Sequence, residues 1–281
     1  MAHPEMSRIR LVISDVDGTL VRSDKSLSDG VVAAVGRLQD EGVPFTIISA
    51  RPVSGILWIA ERLKLTHPMG AFNGGTIVTP DGTTVSAERI DADVAEKAIA
   101  LLTEAKVALW LFADGKWYAQ DVANTHMNSE RNSANADPVM FRDPAEVDGP
   151  FDKIVGVSDD HDFLATLDGK VAAALGKGAT VARSQPYYLD VTAPQADKGH
   201  GIAALAKAHG LSLDEVAVLG DQRNDLPMFA RAGFSVAMGQ GPEEVRAAAS
   251  RTTTSNDEDG VAHAIDEILL PMVRQGWDGQ R

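Results

Sequence analysis

Cysteine is missing from all 281 residues, so disulfides and thiolate metal sites are excluded. The absence fits a reducing compartment. No apolar run approaches the ~20 residues that a membrane span needs. The first ten residues hold no apolar segment of a secretory leader. Positive charge is scarce as well: 26 Lys and Arg face 40 Asp and Glu, for a formal net charge of −14. Nucleic-acid binding draws on cations that neutralise phosphates, so this balance opposes it. It equally opposes docking on an anionic membrane. Internal repeats and low-complexity tracts are absent too. The expectation is a soluble cytoplasmic protein, monomer or homodimer, that binds neither nucleic acid nor membrane. A small phosphorylated metabolite stays compatible with the acidity, because one local cation reverses the field at a single site.

What is present is material for a core and an alternating pattern. Hydrophobic residues make up 44% of the chain, enough to fill an interior. Ile9–Ser14 predicts a strand. Ser28 predicts the cap of a helix from Asp29 to about Glu41, with Val31, Val32, Val35 and Leu38 on one face. Pro44–Ile48 predicts a buried strand, Pro52 opens a helix through Leu63, and Gly70–Phe72 predicts a short strand. The alternation resumes late in the chain: helix Gly199–His209, strand Val216–Leu219, helix Leu226–Ala230, strand Phe234–Ala237, helices Pro242–Ala249 and Gly260–Leu269. A loose tail from Gln275 to Arg281 is expected. Strand–helix alternation marks a parallel sheet with helices on both faces.

A βαβ unit takes ~30 residues, and the stretch from Thr79 to Pro186 is far too long for one crossover. It predicts an insertion with its own sheet. Asp81-Gly82 and Asp114-Gly115 read as hairpin turns. Ala92–Glu104 and Asp162–Leu175 read as helices. Val107–Ala113, Trp117–Gln120, Ile154–Val157, Thr180–Ser184 and Tyr187–Val191 read as strands, and polar Asn124–Asn135 stays ambiguous. The predicted fold class is α/β: a Rossmann-like, doubly wound parallel-sheet core (residues 1–78 and 188–281) with an inserted α+β cap domain (residues 79–187).

The first strand runs into Asp15-Val16-Asp17-Gly18-Thr19-Leu20. Two carboxylates so close at a buried strand end repel each other and are partly desolvated. A hard cation with oxygen ligands relieves that, and Mg²⁺ is the ordinary choice. The competing reading is a plain turn, since Asp-Gly is a good turn dipeptide. Three more segments carry polar groups at strand ends: Ser49, then Lys198 after a strand and loop, then Asp221, Asn224 and Asp225. Ligands of open α/β sheets bind beyond the carboxyl ends of the strands. The set suits phosphoryl transfer. A cation and a lysine offset the repulsion between phosphate and carboxylates. Backbone N–H groups near Ala50 and Arg51, at a helix start, can hold phosphate oxygens. One carboxylate can attack phosphorus, and a second can protonate the leaving oxygen and then activate water.

These four segments resemble the four motifs of the haloacid dehalogenase superfamily of phosphatases, and the long insertion resembles the type-IIB cap of its Cof-like branch. Asn73-Gly74-Gly75, the stretch Gly233 to Gly239 and the stretch Thr254 to Ala262 resemble that branch too. The resemblance implies Asp15 as nucleophile and Mg²⁺ ligand, and Asp17 as general acid/base that binds the metal through its backbone carbonyl. It implies Ser49 and Asn224 on phosphate, Lys198 neutralising charge, Asp221 on the metal, and Asp225 supporting the metal or Lys198. The phosphate- and substrate-binding set is then Val16, Ser49, Ala50, Arg51, Asn73, Lys198 and Asn224. The metal set is Asp15, Asp17, Asp221 and Asp225. Ala50 and Gln222 stand where the branch usually has glycine. Ala50 suits the site if its backbone tolerates a β-carbon, and Gln222 reads as a solvated loop residue.

In the insertion, Trp117, Tyr118, His126, Asn128 and Arg131 are candidate substrate contacts, with sheet packing the competing reading for the aromatics. The leading expectation is a Mg²⁺-dependent phosphomonoesterase acting on a small phosphorylated metabolite, with sugar phosphates first, through an aspartyl-phosphate. The alternatives are a phosphotransferase such as a phosphosugar mutase on the same fold, and a non-catalytic binding protein.

Overall fold

The computed structural model describes residues 9–120 and 124–275. The expected tail lies outside them, apart from Gln275, which ends a helix.

Strand β1 (Leu11–Ser14) is buried along its whole length. It leads through the acidic turn to helix α1 (Asp29–Asp40), where the Ser28 hydroxyl accepts the Val31 N–H at 3.1 Å. Gly42, at φ 75°, takes the left-handed position just past the helix end. Strand β2 (Phe45–Ile47) and helix α2 (Val53–Arg62, behind Pro52) follow. Next come β3 (Met69–Ala71), β4 (Thr76–Val78) and β5 (Thr84–Ala87), then helix α3 (Ala92–Glu104) and the hairpin β6 (Ala108–Ala113) and β7 (Lys116–Ala119). Helix α4 (Met127–Ala134), β8 (Val139–Met140), β9 (Phe151–Val157), α5 (His161–Leu175), β10 (Thr180–Gln185) and β11 (Tyr188–Thr192) complete the middle of the chain. The last third holds α6 (Lys198–Ala208), β12 (Val216–Gly220), α7 (Leu226–Phe229), β13 (Phe234–Ala237), α8 (Glu243–Ala248) and β14 (Arg251–Thr252). A helical run over 260–275 closes the described chain, with a π segment at Ala264–Leu269.

The central sheet is parallel, in the order β14-β13-β12-β1-β2. That is the expected α/β core. Its register places the site. Ser14 is level with Leu219 on one side and Ile47 on the other. Asp15 therefore emerges beside Gly220-Asp221, and Ser49 just past the neighbouring strand.

The inserted sheet has the order β10-β11-β9-β6-β7-β8 and is antiparallel except between β7 and β8. Alternation along β6 sorts its side chains. Leu109 and Leu111 pack with Leu102 of α3 and Leu164 of α5, whereas Trp110 and Phe112 join the cluster that contains Ile56 of α2 and Met127 of α4. Helices α3 and α5 thus cover one face, and the other face turns toward the central sheet.

Three expectations change. The boundary at residue 187 moves later: β11 pairs with both β9 and β10, so the inserted sheet runs through Thr192. The strand near Gly70 is antiparallel to β4 and touches the parallel sheet only through an Ile48–Gly70 bridge. Polar Asn124–Asn135 forms α4, because Met127, Glu130 and Ala134 recur at helical spacing and are buried.

Helix α4 seats directly on α2. The Ser54 hydroxyl donates to the Ala134 carbonyl at 2.5 Å. A β-carbon added to Gly55 would lie 2.1 Å from the Ser133 carbonyl oxygen, so the contact needs a bare Cα. Gly55→Ala should destabilise the protein by about 1–3 kcal/mol through overpacking. Urea unfolding checks this, with a lowered midpoint expected at unchanged slope.

Candidate active site

A cavity of about 450 Å³ lies between the end of the central sheet and the inserted sheet. From the central side it is lined by Asp15, Asp17, Ser49, Arg51, Asp221 and Asn224, with Gly18, Ala50 and Gln222 beside them. A larger cavity of about 1010 Å³ lies against α3, among residues such as Ile90, Ile99, Val147 and Phe151. It is apolar and contains none of the residues singled out for chemistry, so the smaller, polar cavity is the candidate site.

Lys198 lies beneath that cavity, 1% exposed. Its Nζ is 2.6 Å from Asp15 Oδ1 and 2.5 Å from Asp225 Oδ1. The other Asp225 oxygen accepts the N–H groups of Asp221 and Gln222 at 2.8 and 2.9 Å. Asp225 thereby holds both Lys198 and the loop. Lys198 itself does not end a strand of the central sheet, as its place after a strand and loop implied. It is the first residue of α6, behind the Asp197 cap, and the strand before it belongs to the inserted sheet.

Burial pushes the Asp15 carboxyl well above its ordinary range, and Asp225 and Asp221 add to this while Lys198 opposes it. Asp221 is pushed up to about 6, first by burial and then by Asp225, against a 2.9 Å hydrogen bond from Thr19. Asp15 and Asp225 together hold Lys198 firmly protonated against its own burial. Asp15, Asp221 and Asp225 each bring a carboxylate oxygen within 4.8 Å of the others, a group that could hold a metal ion. Carboxylates so crowded, with a single ammonium among them, fit a hard divalent cation as their remaining counter-charge. Gly18 stands against this cluster at φ 80°, and a β-carbon there would meet the Asp221 carboxylate at 2.4 Å.

Asp17 points elsewhere. Arg51 grips it with two hydrogen bonds of 2.7 and 2.8 Å, and Lys25 adds one of 2.7 Å. Burial alone would raise this carboxyl, but Arg51 and Lys25 outweigh it and hold Asp17 far below the usual carboxylate range. Its side chain is therefore not in the acidic cluster, which leaves its backbone carbonyl as the atom expected to reach a metal.

Ser49 is fully buried, and its hydroxyl accepts the Arg51 N–H at 3.1 Å. Ala50 has no positive φ, so its β-carbon is tolerated. Gln222 is exposed, as expected of a loop residue, and its carboxamide oxygen accepts the Arg223 N–H at 3.2 Å. Besides Lys198, which lies beneath it, two more members of the expected binding set do not bring side chains to the cavity. Val16 is buried in the core and its carbonyl accepts the N–H groups of Thr19, Leu20 and Val21, which leaves its own N–H as the group able to meet a ligand. Asn73 sits in a left-handed turn and donates its N–H to the Ser49 carbonyl at 2.7 Å, so it props the Ser49 loop from behind.

The candidates in the inserted sheet also fall away from the cavity. Trp117 is buried and stacks on Phe112; Tyr118 packs toward α3. His126 stacks on Tyr187 and bonds to Asp159, and Arg131 bonds to Asn128 and Asp137. Other residues of this part of the chain reach the cavity, and the charged ones among them are Glu130 and Lys153, neither of which sequence reasoning picked out. Lys153 had a readable signal, a lysine directly before the apolar run 154–157. Glu130, in a polar stretch, had none.

A protein-family model described as haloacid dehalogenase-like hydrolase matches residues 12–265. The chain belongs to that family. Phosphatase YwpJ of Bacillus subtilis is 26% identical over 285 residues, covering 93% of this chain and all of the relative. The 5-amino-6-(5-phospho-D-ribitylamino)uracil phosphatase YitU of the same organism is 25% identical over 264 residues, covering 92% of this chain and 97% of the relative. The crystal structure of a haloacid dehalogenase-like hydrolase from Bacteroides thetaiotaomicron is 27% identical, with a TM-score of 0.85, and covers 93% of this chain and all of that one. No helix among the described residues is long and apolar enough to cross a membrane.

Proposed function

We propose that this hydrolase is a phosphatase, a Mg²⁺-dependent phosphomonoesterase for small phosphorylated metabolites that works through a phosphorylated Asp15. One observation carries the reading: Asp15 opens onto a polar cavity while Lys198, buried behind it, fixes one of its oxygens. Its other oxygen attacks phosphorus, and the bond from phosphorus to the leaving oxygen breaks. The leaving oxygen takes a proton from Asp17. In the second step Asp17 takes a proton from water, the water oxygen attacks phosphorus, and the bond to Asp15 breaks to release inorganic phosphate.

Asp17 can act as an acid only once its grip is relaxed. Arg51 and Lys25 line the cavity, within reach of a phosphoryl dianion bound there. By competing for them, bound substrate raises the proton affinity of Asp17 at the moment a proton is needed. Ser49 and Asn224 add hydrogen bonds to the phosphoryl oxygens. Asp15 and Asp221 would hold Mg²⁺, with Asp225 holding the loop; the bound ion supplies charge neutralisation. The inserted sheet acts as the cap that keeps bulk water away. Sugar phosphates lead among substrates, and the name of YitU points to a phosphorylated ribityl chain, also rich in hydroxyls.

The test is hydrolysis of p-nitrophenyl phosphate with Mg²⁺. Chelation by EDTA should lower the rate at least ~100-fold, with recovery on adding Mg²⁺ back. Absence of turnover across a broad panel of phosphate esters would overturn the proposal.

A further inference from the structure

The wall facing Asp15 comes from the inserted sheet and α4, and it holds a group of polar side chains left over from the phosphoryl chemistry. Glu130 from α4 and Lys153 from β9 both line the cavity, and each is only 6% exposed. Neither side chain makes a hydrogen bond among the described residues. Lys153 Nζ lies 3.9 Å from Asp190 Oδ2, beyond hydrogen-bond reach, and 4.7 Å over the Phe112 ring. Both Asp190 oxygens are buried without a hydrogen-bond partner. The Tyr188 hydroxyl faces Glu130 without reaching hydrogen-bond geometry. Buried groups of this kind are costly to leave unpaired. Lys153 is shared at long range between Asp190 and Glu130, so acceptor and donor both keep hydrogen-bonding capacity at the cavity wall, and this points to a ligand.

We infer that Glu130 and Lys153 read the leaving group, and that the leaving group is an uncharged carbon skeleton carrying neighbouring hydroxyls. The inference rests on the phosphatase reading above, with its sugar-phosphate preference, and adds the side chains that would select for it. A hydroxyl both donates and accepts, so one can donate to Glu130 while its neighbour accepts from Lys153. A second phosphate or a carboxylate brings acceptors alone. It would pair with Lys153 but set a like charge against Glu130 and Asp190. An apolar or aryl group would leave both side chains unpaired. The hydroxyls of Ser129 and Ser133 extend the same polar surface along α4. The cavity is thus sorted: Lys25 and Arg51 sit at the phosphoryl end, and a mixed donor–acceptor wall faces the rest of the molecule.

The experiment compares kcat/KM for a panel of hexose and pentitol monophosphates, a hexose bisphosphate and p-nitrophenyl phosphate. Wild-type protein should favour its best hydroxylated monophosphate over the bisphosphate by at least ~100-fold. Glu130→Leu and Lys153→Met, each of which removes the hydrogen-bonding group, should each lower the ratio of that monophosphate to p-nitrophenyl phosphate by about 10–100-fold. Because Lys153→Met strands Asp190, Lys153→Met/Asp190→Leu is measured beside it, with circular dichroism as the folding check. Glu130→Leu leaves the Lys153–Asp190 pair intact and carries the test if both other variants fail to fold. Unchanged ratios in the folded variants, or a wild-type preference for the bisphosphate, would overturn the inference and leave the phosphatase reading standing. No turnover of any ester by wild-type protein would overturn both.

Discussion

Asp15→Asn should lower kcat on p-nitrophenyl phosphate by at least ~10⁴-fold, because an amide cannot form the phosphorylated intermediate. Stability should move the other way. Burial and the carboxylates of Asp225 and Asp221 push the Asp15 carboxyl above its ordinary 3.8. A group raised in the folded state contributes most below its unfolded value and loses that contribution as pH rises through the folded one. In metal-free protein, wild-type stability should therefore decline relative to Asp15→Asn as pH climbs from about 4 toward neutrality. The amide oxygen can still accept from Lys198, and Asp225 still balances the ammonium. Calorimetry in EDTA across that range checks the prediction. A variant that keeps more than a few percent of wild-type turnover would mean that another group attacks phosphorus.

Lys198→Met should damage both fold and activity. It strands Asp15 and Asp225, 4% and 0% exposed, with no ammonium between them. Breaking a buried pair by removing one partner costs about 3–5 kcal/mol, and loss of the charge beside the reacting phosphoryl should cost about 10³-fold in kcat. The stability defect should shrink in acid, because two carboxylates that have lost their counter-charge take up protons at higher pH in the folded state. Urea unfolding at about pH 5 and about pH 7.5 measures this, with the larger gap from wild type expected at the higher value. An equal defect at both would place the role of Lys198 in packing alone.

The acidic centre was legible because polar residues at the ends of apolar strands are costly without a reason to be there. Asp15 follows a run buried on every side, and Asp221 does the same. Parallel pairing then brings them together with no further information. Lys198 was legible as chemistry but not as position, since nothing local shows that the strand before it pairs in the inserted sheet. Asn73 looked like a binding residue because an amide beside two glycines fits a ligand loop, and it fits a left-handed turn equally well. Lys25 escaped notice eight residues after Asp17 in a polar loop, where only the folded turn brings its ammonium onto the carboxylate. Glu130 escaped because helix α4 reads as solvated until the sheet above it and α2 below it are both in place.

Gly55 faces two ways. Its carbonyl accepts from Arg51 Nη1 at 3.2 Å, and its bare Cα admits the backbone of Ser133. The guanidinium that aims Asp17 and the helix that roofs the cavity therefore meet at one peptide. Under the proposed function such a joint would act as an interlock: lifting the roof would disturb the arm that steadies the proposed proton donor. On the mechanism proposed above, an enzyme built this way would pass the phosphoryl group to Asp15 only from a substrate already enclosed.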